Sequence, residues 1–242
     1  MRTKLVLAAA ILAAGLASSM AQNVYSLNVV GYVNQTVTAN TWYMWGNPLN
    51  AVGTDNGTES VLTNLVSTAP SPQPNDWANS VVYGFVSGSY TAGDAYYPNY
   101  GWFPGNVAGG GADLTPGNGF FFYPATNGTV TFVGQVTTNN SFHLAGPAGW
   151  SLVSSAFPAT NTLTAMGLIG VPNDVVYRFN KAAFGGYDQG TANYPSYGWY
   201  DGDPTAGPGD TTTAGPVINV GEGIFYQNNN ATVTWTQNFT IQ

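Results

Sequence analysis

Residues 97–103 have the sequence Tyr-Pro-Asn-Tyr-Gly-Trp-Phe, and residues 194–200 repeat it as Tyr-Pro-Ser-Tyr-Gly-Trp-Tyr. Each stretch follows a Val-Val-Tyr-x-Phe segment, at residues 81–85 and at residues 175–179, and precedes a Gly-x-Gly segment. The order of these segments is the same in both places, while their spacings differ by a few residues, as insertions in loops allow. The pattern predicts two tandem copies of one structural unit.

Within each copy, short apolar runs alternate with turn residues, and the 242-residue chain contains 31 Gly and 15 Pro. This alternation of apolar runs and turn residues is typical of many short strands joined by tight turns. We expect an all-β fold of two tandem β-sandwich-like or open-barrel units, each with one short helix. The units are placed at residues 22–136 and 137–242, and the apolar spacing at residues 59–66 predicts the helix of the first unit.

One hairpin is predicted from local turn chemistry. Residues 120–123 and 129–133 are apolar runs, and Asn127 and Gly128 lie between them. Asn-Gly favours the positive φ angles of a two-residue hairpin turn. The two runs are therefore predicted to pair with each other.

The first 21 residues have the pattern of a secretory signal peptide. A short basic start is followed by an apolar run, and Ser19 and Ala21 are small residues at the positions that a signal peptidase requires. The alternative is an uncleaved N-terminal anchor. We expect cleavage before Gln22 and a secreted, extracellular or cell-surface location.

Charged residues are few and mostly acidic. The chain has 4 Lys and Arg against 11 Asp and Glu. Loss of Arg2 and Lys4 with the leader moves the formal net charge from −7 to −9. Such a chain repels polyanions, so nucleic acid is not an expected partner.

The order of these segments resembles a β-domain found in uncharacterised secreted bacterial proteins. The segments are a Trp-containing first strand, Gly-Asn-Pro-Leu at residues 46–49, the Val-Val-Tyr strand and Pro-Gly-Asn-Gly-Phe-Phe at residues 116–121. Residues 29–34, Val-Val-Gly-Tyr-Val-Asn, are similar to the mature start of a group of such proteins. The second copy departs from the pattern at residues 154–157. The resemblance implies this fold and export, and it implies no activity.

Residues for catalysis are scarce. The chain has no Cys, and His143 is its one His. Glu59 and Glu222 are the only Glu residues and fall in different copies. No Gly-x-Ser-x-Gly segment marks a nucleophilic Ser. We do not expect an enzyme.

The repeated aromatic stretch supplies the candidate ligand-binding residues. Its aromatic rings could stack on sugar rings if they are exposed, or they could fill the core of each unit if they are buried. Both interpretations stay open from the sequence. The candidate residues are Tyr97, Tyr100, Trp102, Tyr194, Tyr197 and Trp199.

An acidic loop in the second copy is a candidate calcium site. Asp201, Asp203 and Asp210 lie in one Gly- and Pro-rich stretch, and calcium prefers oxygen ligands from such loops. The spacing of an EF-hand is absent, and a solvated acidic loop explains the same residues. No other cofactor is expected.

Two functions are compatible with these features. The first is a non-catalytic structural or surface protein that acts in adhesion, in a matrix or in self-assembly through β-edges. Its partner would be a second copy of the chain, with the strand at residues 29–33 pairing at the C-terminal strand. The second is a carbohydrate-binding module that recognises extracellular polysaccharide through the aromatic residues.

Overall fold

The computed structural model describes residues 29–52, 55–73, 75–104, 111–144, 149–180, 186–195, 197–201, 214–229 and 233–240. These residues form antiparallel sheets, and α1 (Thr58–Val61) is the one α-helix among them. None of the described sheets closes into a barrel. The all-β prediction is confirmed, and the open sheets are those of sandwich-like units. The predicted signal peptide lies outside the described residues.

The first half of the chain, up to residue 136, contains a six-stranded and a three-stranded sheet. Its strands are β1 (Val30–Val37), β2 (Tyr43–Gly46), β3 (Asn64–Ser67), β4 (Val81–Val86), β5 (Ser89–Tyr90), β6 (Asp94–Tyr97), β7 (Gly101–Phe103), β8 (Gly119–Tyr123) and β9 (Gly128–Gln135). The larger sheet has the order β2-β8-β4-β6-β7, with β5 paired to β4. The smaller sheet has the order β1-β9-β3.

The second half has a six-stranded sheet of equivalent strand order. Its described strands are β10 (Asn139–His143), β11 (Gly149–Ser154), β12 (Asn161–Thr162), β13 (Val175–Asn180), β14 (Gly186–Tyr187), β15 (Thr191–Tyr194), β16 (Gly198–Asp201), β17 (Val217–Ile218), β18 (Gly223–Asn228) and β19 (Thr234–Asn238). The order is β11-β18-β13-β15-β16, with β14 paired to β13. Strand β10 pairs with β19, and β12 pairs with β17.

The repeated aromatic stretch forms the hairpins β6–β7 and β15–β16. In the first hairpin, Asn99 and Gly101 have φ angles of 68° and 79°, which are the left-handed values that Asn and Gly tolerate. In the second, Gly198 has a φ of 79°. The main-chain N–H of Tyr100 donates to the Tyr97 carbonyl at 3.1 Å, and Tyr197 donates to Tyr194 at 3.2 Å. The glycine that the two stretches share, Gly101 and Gly198, therefore has a local cause in turn geometry.

The predicted Asn127–Gly128 hairpin is wrong. Strand β8 pairs with β2 and β4, whereas β9 pairs with β1 and β3, so the two apolar runs belong to different sheets. Asn127 instead ties neighbouring segments together, since its side-chain oxygen accepts the Ala39 N–H at 2.8 Å and its carbonyl accepts the Thr68 N–H at 3.0 Å. The predicted helix at residues 59–66 is shorter than expected, because β3 begins at Asn64.

Strand β8 is buried on both faces, and this arrangement joins the two halves. Phe120 and Phe122 point into the core of the first half, and Phe121 points into a separate cluster. Strand β18 repeats the pattern, since Ile224 belongs to the core of the second half and Phe225 belongs to that separate cluster. Successive strand residues face opposite sides, so one strand serves two apolar layers.

The separate cluster is the interface between the two six-stranded sheets, which we call the seam. Its buried residues are Met44, Phe121, Leu152 and Phe225. Five partly buried residues pack on it from the strands of both halves, namely Tyr83, Phe85, Tyr177, Phe179 and Tyr187. Rings contact each other across the seam, with centroids 5.1 Å apart for Phe85 and Phe225 and 5.6 Å apart for Phe121 and Phe179.

Backbone contacts across the seam follow an approximate two-fold relation. The Gly46 N–H donates to the Gly221 carbonyl at 3.0 Å, and in the reciprocal contact the Ser154 N–H donates to the Gly117 carbonyl at 2.9 Å. Both acceptors belong to Gly-x-Gly turns. A methyl group on Gly223 would lie 2.7 Å from the Trp45 carbonyl oxygen, so this close approach requires glycine. The seam thus has the mutual contacts of an isologous dimer interface within one chain.

Candidate functional site

The two tryptophans of the repeated stretch are core residues. Trp102 is 6% exposed and Trp199 is 1% exposed. Each indole N–H is hydrogen bonded inside the protein, to the Leu62 carbonyl at 2.9 Å and to the Leu168 carbonyl at 3.3 Å respectively. Neither ring offers a face to a ligand, so the core interpretation applies to both tryptophans.

The four tyrosines of the same stretch lie near the surface turns of the hairpins. Tyr97, Tyr100 and Tyr197 are exposed, whereas Tyr194 is partly buried and its ring contacts Tyr200. The hairpins place these tyrosines at or directly beside strand ends. A role in ligand binding stays a prediction for the exposed three.

Most of the predicted calcium site lies outside the described residues. Asp201 ends β16, and Asp203 and Asp210 lie outside the described residues. Among the side chains that the structure does describe, no three His, Cys, Asp or Glu residues come together as a metal site. Calcium binding by the acidic loop stays a prediction.

A concave cleft of about 700 Å³ opens beside the seam. It is lined by Phe85, Trp150, Tyr177, Tyr187, Asp188, Gln189 and Phe225. The Trp150 ring is 37% exposed and packs with centroids 5.5 Å from Tyr177 and 6.0 Å from Phe225. Phe85 is the first-half residue in this lining, so the cleft is complete only when the halves associate. Its size and its apolar lining with a few polar groups are typical of ligand sites. We call it the large cleft.

A second cleft of about 320 Å³ lies at the corresponding place in the first half. It is lined by Trp42, Tyr83, Tyr90, Phe121 and Tyr187, and we call it the small cleft. Trp42 is 40% exposed, and its ring centroid lies 5.9 Å from Tyr83 and 6.2 Å from Phe121. Here Tyr187 is contributed by the second half. Each cleft therefore has one partly exposed Trp, one Tyr beside it and one ring from the other half.

Tyr90 and Tyr187 join the two clefts. They lie on the equivalent short strands β5 and β14, and both line the small cleft. Burial and, to a smaller extent, the proximity of Tyr90 raise the pKa of Tyr187 above the usual range of tyrosine. The Tyr187 hydroxyl, like that of any tyrosine, is neutral at physiological pH and able to donate a hydrogen bond.

The polar residues of the two clefts differ. In the second half the Asp188 N–H donates to the Arg178 carbonyl at 3.0 Å, which holds Asp188 and Gln189 at the rim of the large cleft. In the first half the Thr91 N–H makes the equivalent bond to the Gly84 carbonyl at 3.0 Å. The Thr91 hydroxyl accepts the Gly84 N–H at 2.9 Å, so it is used within the sheet. The large cleft thus has polar groups that the small cleft lacks.

The guanidinium of Arg178 is paired with a carboxylate. Its Nε and Nη2 atoms donate to the two Glu222 oxygens at 2.6 Å and 3.0 Å. Glu222 also accepts from Asn219 and forms a β-bridge with Trp45 across the seam. The charge of Arg178 is thereby neutralised, and no cation lies among the described residues that line either cleft.

Neither cleft was predicted from the sequence, in which only a Trp-containing first strand was recognised. The available signal was the two-residue spacing of Trp42 and Met44 and of Trp150 and Leu152, which predicts that each pair lies on one face of an extended segment. Met44 and Leu152 are seam residues. The tryptophan of each pair lies further along the same face and lines a cleft.

The chain matches no protein-family model, no curated protein and no solved structure. Within the described residues, no helix has the length and apolar character needed to cross a membrane. A functional proposal for this chain therefore depends on the geometry and chemistry of its clefts.

Proposed function

We propose that the protein is a non-catalytic, exported binding protein that holds carbohydrate in the aromatic clefts beside its seam. The observation that carries this proposal is the large cleft, where the partly exposed Trp150 and Tyr177 lie beside Asp188 and Gln189. The signal-peptide pattern of residues 1–21 supports an extracellular setting, in which polysaccharides are available partners.

Sugar rings have apolar C–H faces and a rim of hydroxyl groups. Aromatic side chains bury such apolar faces well, and polar groups at the rim of a site fix the orientation of the ligand. The large cleft combines these two elements, since its walls are aromatic and Asp188 and Gln189 supply hydrogen-bond acceptors and donors. The open shape also admits a chain that continues beyond the site.

We expect Trp150→Ala to weaken polysaccharide binding by about tenfold or more, because a central aromatic contact contributes about 1–2 kcal/mol or more to binding. The measurement is affinity electrophoresis or calorimetry with soluble β-glucan, xylan and mannan. Tyr100→Ala is the matched control, since Tyr100 is 81% exposed on the β6–β7 hairpin.

If Trp150→Ala retains full binding and Tyr100→Ala loses it, the large cleft is not the binding site. That result would favour the exposed tyrosines of the hairpins as the residues that stack on sugar rings. Circular dichroism and thermal unfolding of both variants establish that the fold is intact. Trp150→Leu keeps most of the apolar contact with Tyr177 and removes the aromatic face, so it tests stacking if the Ala variant is unstable.

A second proposal is self-assembly through β1. This strand lies at one end of the β1-β9-β3 sheet and pairs only with β9 among the described strands. Its outward residues include Val30 and Tyr32, which are 49% and 72% exposed. Edge strands with exposed apolar side chains can pair with another chain.

Deletion of residues 24–36 is a poor test of assembly, because β1 pairs with β9 along its length and Val33 packs on the core. Tyr32→Lys is better, since a charge on an exposed edge opposes pairing. We expect large species in light scattering of the wild type across a concentration series, and their loss in Tyr32→Lys. The control is Tyr100→Lys. A wild type that stays monomeric at every concentration contradicts the proposal.

A further inference from the structure

The two clefts are adjacent parts of one surface. Tyr187 lines both of them, and Tyr90 lines the small cleft beside it, so that one tyrosine from each half lies where the clefts meet. Because the halves are related by an approximate two-fold axis, Trp150 and Trp42 stand on opposite sides of this tyrosine pair. A ligand that extends beyond one cleft across the pair enters the other.

The charge of this surface restricts the ligand. Asp188 is the one ionisable carboxylate among the lining residues of the two clefts, and the nearby Arg178 is bound by Glu222. Among the described residues that line the clefts, no cation compensates this negative charge, so uronic acids and sulfated sugars would be repelled. A neutral glycan meets no such repulsion.

The two clefts differ in their polar residues, and this difference is compatible with a ligand whose two ends are chemically distinct. A polysaccharide chain has distinct ends, so a chain that crosses a two-fold axis runs in opposite senses through the two clefts. Stacking on an aromatic face tolerates either sense, whereas hydrogen bonds to particular hydroxyl groups do not. Acid and amide side chains that orient the chain are useful in one cleft only: Asp188 and Gln189 line the large cleft, whereas the described lining of the small cleft is aromatic and has tyrosine hydroxyl groups but no acid or amide side chain.

We propose that the two clefts form one two-lobed site for an extended neutral glycan chain, oriented by hydrogen bonds in the large cleft and held by stacking on Trp42 in the small cleft. This inference rests on the proposed carbohydrate-binding function. It adds that the ligand is long enough to occupy both clefts, that the ligand is neutral, and that each cleft has a distinct role.

The test uses the full-length mature chain and a ladder of cello-oligosaccharides from disaccharide to octasaccharide, measured by calorimetry. Linking two contacts in one ligand raises affinity steeply, so the longest oligosaccharide should bind the wild type about tenfold or more tightly than the disaccharide. Trp42→Ala should remove this gain and leave disaccharide affinity within about twofold, since distant sites act independently. Trp42→Leu is the replacement if the Ala variant fails to fold. Trp150→Ala should weaken every oligosaccharide.

An equal gain with length in the wild type and in Trp42→Ala, or no gain in either, overturns the two-lobed site and leaves the large cleft as the binding site. An oligogalacturonate of the same length that binds as tightly as the neutral chain overturns the charge restriction. If no neutral oligosaccharide of any length binds, the proposed function fails and this inference fails with it.

Discussion

Trp199→Ala is expected to lower the free energy of unfolding by about 3–5 kcal/mol, the usual range for removing a large aromatic side chain from a core. Trp199 is among the largest fully buried side chains of the second half, and its ring contacts Tyr226 with centroids 6.5 Å apart. The substitution also removes the indole N–H that the Leu168 carbonyl accepts. The measurement is urea unfolding followed by far-ultraviolet circular dichroism.

The matched control is Tyr197→Ala, in the same repeated stretch. Tyr197 is 63% exposed, and substitutions at such surface positions usually change stability by less than about 0.5 kcal/mol. Equal effects of the two substitutions would mean that the stretch does not divide into core and surface residues as described. Trp102→Ala should behave as Trp199→Ala does, because Trp102 has the equivalent register position opposite Tyr96 on the neighbouring strand.

The fold class could be predicted from the sequence, whereas the β6–β7 and β15–β16 hairpins were not predicted although their turn chemistry is local. Alternating apolar residues specify strand faces, and Asn99 and Gly101 occupy the positive φ positions of a turn. The prediction of a hairpin at Asn127–Gly128 is wrong because the pairing of β8 and β9 depends on distant strands, which the local turn residues do not specify. Strand β8 is apolar at every position from Phe120 to Phe122, and such a run signals burial on both faces more strongly than the turn signals pairing.

The candidate site could not be predicted from the sequence because neither cleft belongs to one unit. Phe85 completes the large cleft from the other half, and Tyr187 does the same for the small cleft. A pattern within one copy identifies which face of a strand is apolar, and it does not identify what covers that face. The aromatic stretch at residues 97–103 attracted attention because it repeats, and it repeats because both cores need the same buried indole.

The two halves have six-stranded sheets of equivalent strand order and contact each other reciprocally at the seam, yet their residues differ at the clefts. The reciprocal bonds from Gly46 and Ser154 maintain the two-fold contact in both directions. Meanwhile, Asp188 stands in the second half where Thr91 stands in the first. A symmetric homodimer would carry the same residue in both clefts. One chain with two units can place polar groups in one cleft and keep the other aromatic.

Phe225→Ala is expected to have a comparable effect on stability, about 3–5 kcal/mol, and to abolish binding in the large cleft as well. The Phe225 ring lies at the centre of the seam, with centroids 5.1 Å from Phe85, 5.9 Å from Tyr187 and 6.1 Å from Phe121. Its removal leaves a cavity between the halves and takes away the floor on which Trp150 packs. Urea unfolding and glycan binding measure the two effects.

A double-mutant cycle with Phe85→Ala separates loss of contacts across the seam from loss of packing inside the second half. Phe85 and Phe225 meet edge to face from opposite halves, and such aromatic pairs contribute about 0.5–1.5 kcal/mol beyond the area that they bury. We expect a coupling energy in that range. Phe103→Ala is the control, because Phe103 is a first-half residue that is 58% exposed. It should show no coupling energy with Phe225→Ala. Coupling below about 0.3 kcal/mol would contradict the packed contact between Phe85 and Phe225, because rings that do not share a packed interface give additive effects. In that case Phe85 would not complete the large cleft from the first half.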